Sequence, residues 1–146
     1  MKAVIQRVKK ASVEIDGKIV GKIDTGLLVL LGVEDGDDEK HCTYMAEKIA
    51  AMRIFSDENG KFNYSVKDID GEILAVSQFT LLADTKKGNR PSFINAQSPH
   101  EANRLYEYVL DGLRKQGLIV KKGVFGADMK INQTNDGPFT VMLESR

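Results

Sequence analysis

The segment Leu27-Leu28-Val29-Leu30-Leu31-Gly32-Val33 restricts the fold more than any other stretch, because it carries no polar side chain. A strand with one face in water alternates; a short continuous apolar run reads as a central strand covered on both faces. It is far shorter than the roughly 20 apolar residues a membrane-spanning helix needs. The rest of the chain must therefore supply a layer on each side of that strand. Residues 2–33 read as strands throughout, with Ala11–Ile15 and Lys18–Ile23 joined by the two-residue hairpin signal Asp16-Gly17. An acidic loop, Asp35–Asp38, then leads into a helix predicted from about Glu39 to Met52, where Cys42, Met45, Ala46 and Ile49 fall at helical spacing.

Further along, Arg53–Val66 predicts two short strands around a turn at Asp57-Glu58-Asn59-Gly60, and Glu72–Leu82 predicts another strand. Ala83–Gln97 is a long polar loop carrying Lys86, Lys87 and Arg90, of a length that in a small domain commonly serves function. Ser98-Pro99-His100-Glu101 has the form of a capping box, with an N-cap serine, proline at the first helical position and glutamate at the third. Ala102, Leu105, Tyr106, Val109, Leu110 and Leu113 form one apolar stripe on the helix that follows, and Gly117 closes it. Strands are predicted at Leu118–Lys122 and Phe139–Glu144. The pattern is α+β (mixed α/β): a β-rich, barrel-like sheet core with two main helices packed on it, in a single domain over residues 1–146.

With 146 residues, such a domain buries about 70% of its unfolded surface and needs no disulfide or metal staple. Its 21 basic and 21 acidic side chains create no global positive field, so contact with a nucleic acid must be local. The opening Met1-Lys2-Ala3-Val4-Ile5-Gln6-Arg7 alternates as a strand does and lacks the shape of a signal peptide. The single Cys42 cannot form an internal disulfide, which fits a reducing compartment; a cytoplasmic location away from membranes is expected.

There is no Walker A loop, no Gly-x-Gly-x-x-Gly and no Cys-x-x-Cys, so no cofactor is expected. The two histidines, His41 and His100, lie in the first turns of different helices; each reads as a solvated surface residue and neither predicts a metal site or a triad base. Two segments stand out against this background. Ser77-Gln78-Phe79-Thr80-Leu81-Leu82 ends a strand with three hydrogen-bonding side chains in four residues. It reads either as ordinary alternation or as a polar site whose backbone N–H groups serve as oxyanion donors. Asn135-Asp136-Gly137-Pro138-Phe139-Thr140 reads either as a plain turn before the last strand or as a site element with a Gly-Pro step.

Together, Ser77-Gln78-Phe79-Thr80-Leu81 and Asn135-Asp136-Gly137-Pro138-Phe139-Thr140 closely resemble the two signature motifs of the D-aminoacyl-tRNA deacylase (D-tyrosyl-tRNA deacylase) family. The likeness extends over the chain: Met1–Val8, Gly32-Val33, Arg53-Ile54-Phe55, Asn89–Phe93 and Gly123–Met129 all match. The family's second motif usually has valine at the place of Phe139, a departure expected to alter packing rather than activity. The resemblance implies a homodimer with active sites at the subunit interface. It implies that Gly137-Pro138 is a cis dipeptide reaching into the partner's site, that Ser77, Gln78, Phe79 and Thr80 line that site, and that Arg7 and Asn135 support the turn. The adenosine at the 3′ end of aminoacyl-tRNA is expected against Phe125, Ala127 and Met129.

These residues suit that chemistry. An editor for D-amino acids must reject every L side chain, and a shaped pocket distinguishes a methylene by only about 1–3 kcal/mol. A rigid backbone wall at Gly137-Pro138 rejects the L-Cβ itself, and it admits glycyl esters, which have none. The missing protein base fits an ester whose neighbouring 2′-hydroxyl lies on the RNA. A nucleophilic Thr80 is the rival mechanism, and it lacks an activating base. Three other readings remain open: a non-catalytic RNA-binding dimer module, an editing module for L-seryl esters, and an L-alanyl deacylase with a trans Gly-Pro step.

Overall fold

In the computed structural model, which describes all residues from Met1 to Arg146, the apolar run forms β3 (Gly26–Gly32) at the centre of the main sheet. Its neighbours are β1 (Lys2–Ile15), antiparallel, and β6 (Glu72–Ser77), parallel. Alternate residues serve two cores. Leu27, Val29 and Leu31, with Ile73 and Ala75 of β6, face the helices, α1 (Glu39–Ala51) and α2 (Pro99–Lys115). Leu28, with Leu74 and Val76 of β6, faces a smaller cluster with Val8, Ala11, Val13 and Ile23 inside the curl of the sheet. Covering both faces of β3 is what removes polar residues from it.

β1 is long enough to pair with two strands on one edge, β3 along Lys2–Val8 and β2 (Lys18–Ile23) along Ala11–Ile15. Asp16 and Gly17 both have positive φ, at 49° and 78°, as the tight hairpin requires. The curl nearly closes where β2 meets β7 (Val120–Lys122): a Cβ on Gly21 would lie 2.9 Å from Lys122 O, so only glycine fits. β4 (Phe55–Ser56) and β5 (Phe62–Tyr64) form the expected separate hairpin. The buried stripe of α2 is the predicted one, and α1 buries Cys42, Met45, Ala46 and Ile49 with Ala50 added. No helix is long and apolar enough to cross a membrane.

Three local expectations fail. The strand predicted over Glu72–Leu82 stops at Ser77. Gln78 N still donates to Leu31 O at 2.8 Å, but β3 ends there, and Phe79–Leu82 coil into a 3-10 turn that buries Leu82. The capping box at Ser98 does not form, since the serine side chain makes no cap bond. Glu101 instead takes the Arg104 guanidinium at 2.7 Å, a charge-assisted bond, and Ser98 N donates to Gln97 Oε1 at 2.7 Å. A capping box appears where none was predicted: Asp38 accepts from Lys40 N and His41 N, and His41 Nδ1 accepts from Asp38 N at 3.1 Å, so His41 is a cap. The last strand, β8, begins at Lys130 and not Phe139, running beside β1 to Glu144. Only β1 pairs with it, which leaves its other edge bare along the whole strand.

Candidate active site

A cleft of about 460 Å³ opens where β3 and β6 end. Five features converge on it: Ser77, Gln78 and Phe79 from the end of β6, Ala96-Gln97 from the returning loop, Pro99 and Ala102 from the start of α2, Val33, and the segment Phe125–Ile131. The sequence-predicted residues Ser77, Gln78, Phe79, Phe125, Ala127 and Met129 therefore come together in one cavity. Val33, Gln97 and Pro99 were not anticipated. Their only sequence signal is position, next to the ends of the elements that shape the cleft. Gln97 is held there because its N–H donates to Val33 O at 3.0 Å, beside a bridge between Glu34 and Ala96. Gly32 permits the close turn at the rim, since a Cβ on it would stand 2.9 Å from Gln78 O.

Thr80 is exposed beside the cleft and is absent from its lining. Its hydroxyl accepts from Gln78 Nε2, and no histidine or carboxylate bonds to it. Phe79 is 55% exposed and meets Phe93 of the long loop edge-on at 5.0 Å. Within the 3-10 turn, Leu81 N is the first donor to find an acceptor, Gln78 O at 3.3 Å. The N–H groups of Phe79 and Thr80, ahead of it, have no acceptor within the turn.

The second motif lies elsewhere in the same chain. In the β1–β8 ladder, Gln6 pairs with Thr140 and Val8 with Asn135, so Arg7 alone stands opposite Asp136-Gly137-Pro138-Phe139, and the surplus residues loop out. Asn135 Oδ1 closes the base of the loop by accepting from Phe139 N at 3.1 Å. Arg7 Nε donates to Asp136 O at 3.0 Å and Arg7 Nη1 to Ile54 O at 2.7 Å, while Lys9 Nζ lies 3.5 Å from Asp136 Oδ2. Gly137 and Pro138 are exposed at the tip, their peptide bond is cis, and Gly137 has φ of +132°. Neither residue lines the cleft of its own chain. Phe139 turns back to pack edge-on against Phe62, with ring centroids 4.9 Å apart.

No group with a displaced proton affinity lines the cleft. Burial pushes the thiol of Cys42 up to about 12 and raises the phenol of Tyr106, but both lie under the helices. No cluster of three or more His, Cys, Asp or Glu side chains is placed to hold a metal ion. The chemistry on offer is an apolar cleft with a few polar groups, free backbone donors at its rim, and a backbone-walled loop at a distance.

Comparison with known proteins bears on what such a site does. Residues 4–144 match the model of the family described as D-Tyr-tRNA(Tyr) deacylase. A protein of Lactobacillus delbrueckii subsp. bulgaricus named D-aminoacyl-tRNA deacylase is 56% identical over 144 residues, covering 99% of each chain. One of the same name from Bacillus cereus is 53% identical over 146 residues, covering 100% of both. Among solved structures, the c-Myc DNA Unwinding Element Binding Protein superposes with a TM-score of 0.94 at 45% identity, covering 100% of this chain and 99% of that one. A probable eukaryotic D-amino acid tRNA deacylase superposes at 0.80 with 17% identity, covering 97% of each, a likeness of fold.

Proposed function

The chain belongs to the D-Tyr-tRNA(Tyr) deacylase family, and from that premise we propose that it is a tRNA-editing hydrolase that cleaves the ester of D-aminoacyl-tRNA to free amino acid and tRNA. The observation that carries the finer reading is the separation of the two motifs: Gly137 and Pro138 stand exposed on a looped-out tip, away from the cleft at Ser77–Phe79. A homodimer supplies the missing half if the tip of one subunit enters the cleft region of the other. The bare edge of β8 and the 66% exposure of Met142 on it favour such pairing, since long unprotected edge strands seek partners.

In this reading the terminal adenosine occupies the cleft against Phe125, Ala127 and Met129, and the ester carbonyl meets the N–H groups of Phe79 and Thr80. One such donor is worth about 3–4 kcal/mol in the transition state. The tRNA 2′-hydroxyl acts in place of a protein base; a well-held intramolecular group reaches effective molarities on the order of 10⁵ M, roughly 7 kcal/mol. The carbonyls of Gly137 and Pro138 accept from the substrate's α-ammonium and leave no room for an L-Cβ. Glycyl-tRNA, lacking a Cβ, is a substrate on the same logic. Lys86, Lys87 and Arg90, exposed on the loop Ala83–Gln97, are suited to phosphates of the 3′ end. The tRNA substrate and the free thiol of Cys42 fit a cytoplasmic setting.

The test is hydrolysis of matched D-tyrosyl-, L-tyrosyl- and glycyl-tRNA by the purified protein, with its mass in solution measured alongside. Release from the D and glycyl esters with the L ester spared is expected, from a dimer. Equal treatment of glycyl and L esters overturns rejection at the Cβ. The solved relative named for binding a DNA unwinding element favours a second reading, a nucleic-acid-binding module; tRNA bound but never hydrolysed would select it.

A further inference from the structure

We propose that Phe62 is a positioning residue for the Gly137-Pro138 loop, acting through Arg7. This rests on the functional reading above. Phe62 comes from β5, in the small hairpin outside the main sheet, and belongs to neither hydrophobic cluster. It is 56% exposed, so burial in a core does not account for where the ring sits. Its partners are specific. The Phe62 and Phe139 rings meet at 82° with centroids 4.9 Å apart, and the Arg7 guanidinium carbon lies 5.7 Å from the first centroid and 4.9 Å from the second.

The arginine head thus sits within cation–π reach of both rings. Its hydrogen bonds to Ile54 O and Asp136 O act in the guanidinium plane and leave the head free to tilt out of it. The aromatic pair supplies the restraint the hydrogen bonds lack. The head in turn limits the loop, because Arg7 Nη2 lies 3.0 Å from where a Cβ on Gly137 would stand. Phe62 therefore fixes Arg7, and Arg7 fixes the carbonyl of Asp136 and the space beside Gly137. Phe139 provides the second ring, so the second motif and the exposed aromatic on a distant hairpin form one device.

The test compares wild type with Phe62→Tyr, which keeps the ring, and with Phe62→Leu and Phe62→Ala, which lose it. The position is exposed enough that all three should fold, as thermal melts will verify. On D-tyrosyl-tRNA, the Leu and Ala variants should lose about threefold to fivefold in kcat, the size of an exposed cation–π contact, with KM unchanged and the Tyr variant matching wild type. A Leu variant as active as the Tyr variant overturns the proposal, because apolar bulk then suffices. A raised KM with intact kcat also overturns it, by making Phe62 a substrate contact. Solvent exchange of the Arg7 Nε–H, read by NMR, needs no turnover: it should quicken in the Leu and Ala variants only. If wild type hydrolyses no ester, the functional reading fails, and unchanged exchange in all variants would then sink this inference separately.

Discussion

Replacing Gly137 by alanine puts a single methyl group at the tip to which the proposed function assigns chiral rejection. The residue has φ of +132°, where L side chains are strained. The new Cβ would stand 3.0 Å from Arg7 Nη2 and 3.1 Å from Phe139 N. Neither neighbour retreats easily. Arg7 is tied to Ile54 O at 2.7 Å and to Asp136 O at 3.0 Å, and Phe139 N, a main-chain group, donates to the Asn135 side chain at Oδ1, 3.1 Å away. Holding alanine in this geometry costs on the order of 1–3 kcal/mol. For a chain of about 150 residues each kcal/mol lowers Tm by about 2–4 °C, so a cost of about 2 kcal/mol predicts a fall of roughly 4–8 °C. If the loop relaxes to relieve the strain, Tm recovers but the Gly137 carbonyl moves; a displacement of about 1 Å at a reacting centre costs roughly 100-fold in rate. Single-turnover hydrolysis of D-tyrosyl-tRNA, paired with calorimetry, reads both. A variant with wild-type Tm and wild-type rate would refute the reasoning, since the methyl group would then have found room that the structure does not contain.

Thr80→Ala should keep activity within about tenfold if its hydroxyl serves only to hold Gln78, its one side-chain partner; complete loss with folding and tRNA binding intact would instead make Thr80 the nucleophile. Cys42 is fully buried and its thiol is pushed up to about 12 by burial, so it should resist thiol reagents at pH 8 until the protein unfolds; rapid labelling of the native state would contradict this. The carboxyl of Asp38 is held below its ordinary range chiefly by the backbone N–H of His41. A folded pKa below the unfolded one gives stability that is present above the unfolded value and lost as pH falls through the folded one. Asp38→Ala should therefore lower the urea midpoint at pH 6 and change it little at pH 2, and an equal penalty at both would remove the carboxylate from the account.

Much of the fold was legible because periodicity reports burial directly. The run Leu27–Val33 announced the doubly covered β3, and the stripe from Ala102 to Leu113 announced the buried face of α2. Signals that depend on competition between partners were not legible. Ser98 and Glu101 have the spacing of a capping box, yet Arg104 takes the glutamate; Asp38 and His41 do not look like one and form one. Within the polar half of β8, Lys130–Asn135, only Ile131 packs against a hydrophobic cluster, so the segment carries no apolar alternation to read.

The two motifs follow the same division. The sequence by itself determined which residue types are present and that Gly137 is the sort of residue a close backbone approach requires. Only the tertiary structure decided that Ser77, Gln78 and Phe79 share a cleft with Phe125 and Met129, and that Gly137-Pro138 does not. It alone brought Phe62 to Arg7 and Phe139, and buried the Asp37 carboxylate under the Met1 ammonium and Arg146 at 2.7 Å each. The physical reason is range. Backbone propensity and burial periodicity act between residues a few positions apart and leave a pattern in the chain, whereas a hydrogen bond or a ring contact across 50 or 100 residues leaves none until the sheet has set the register.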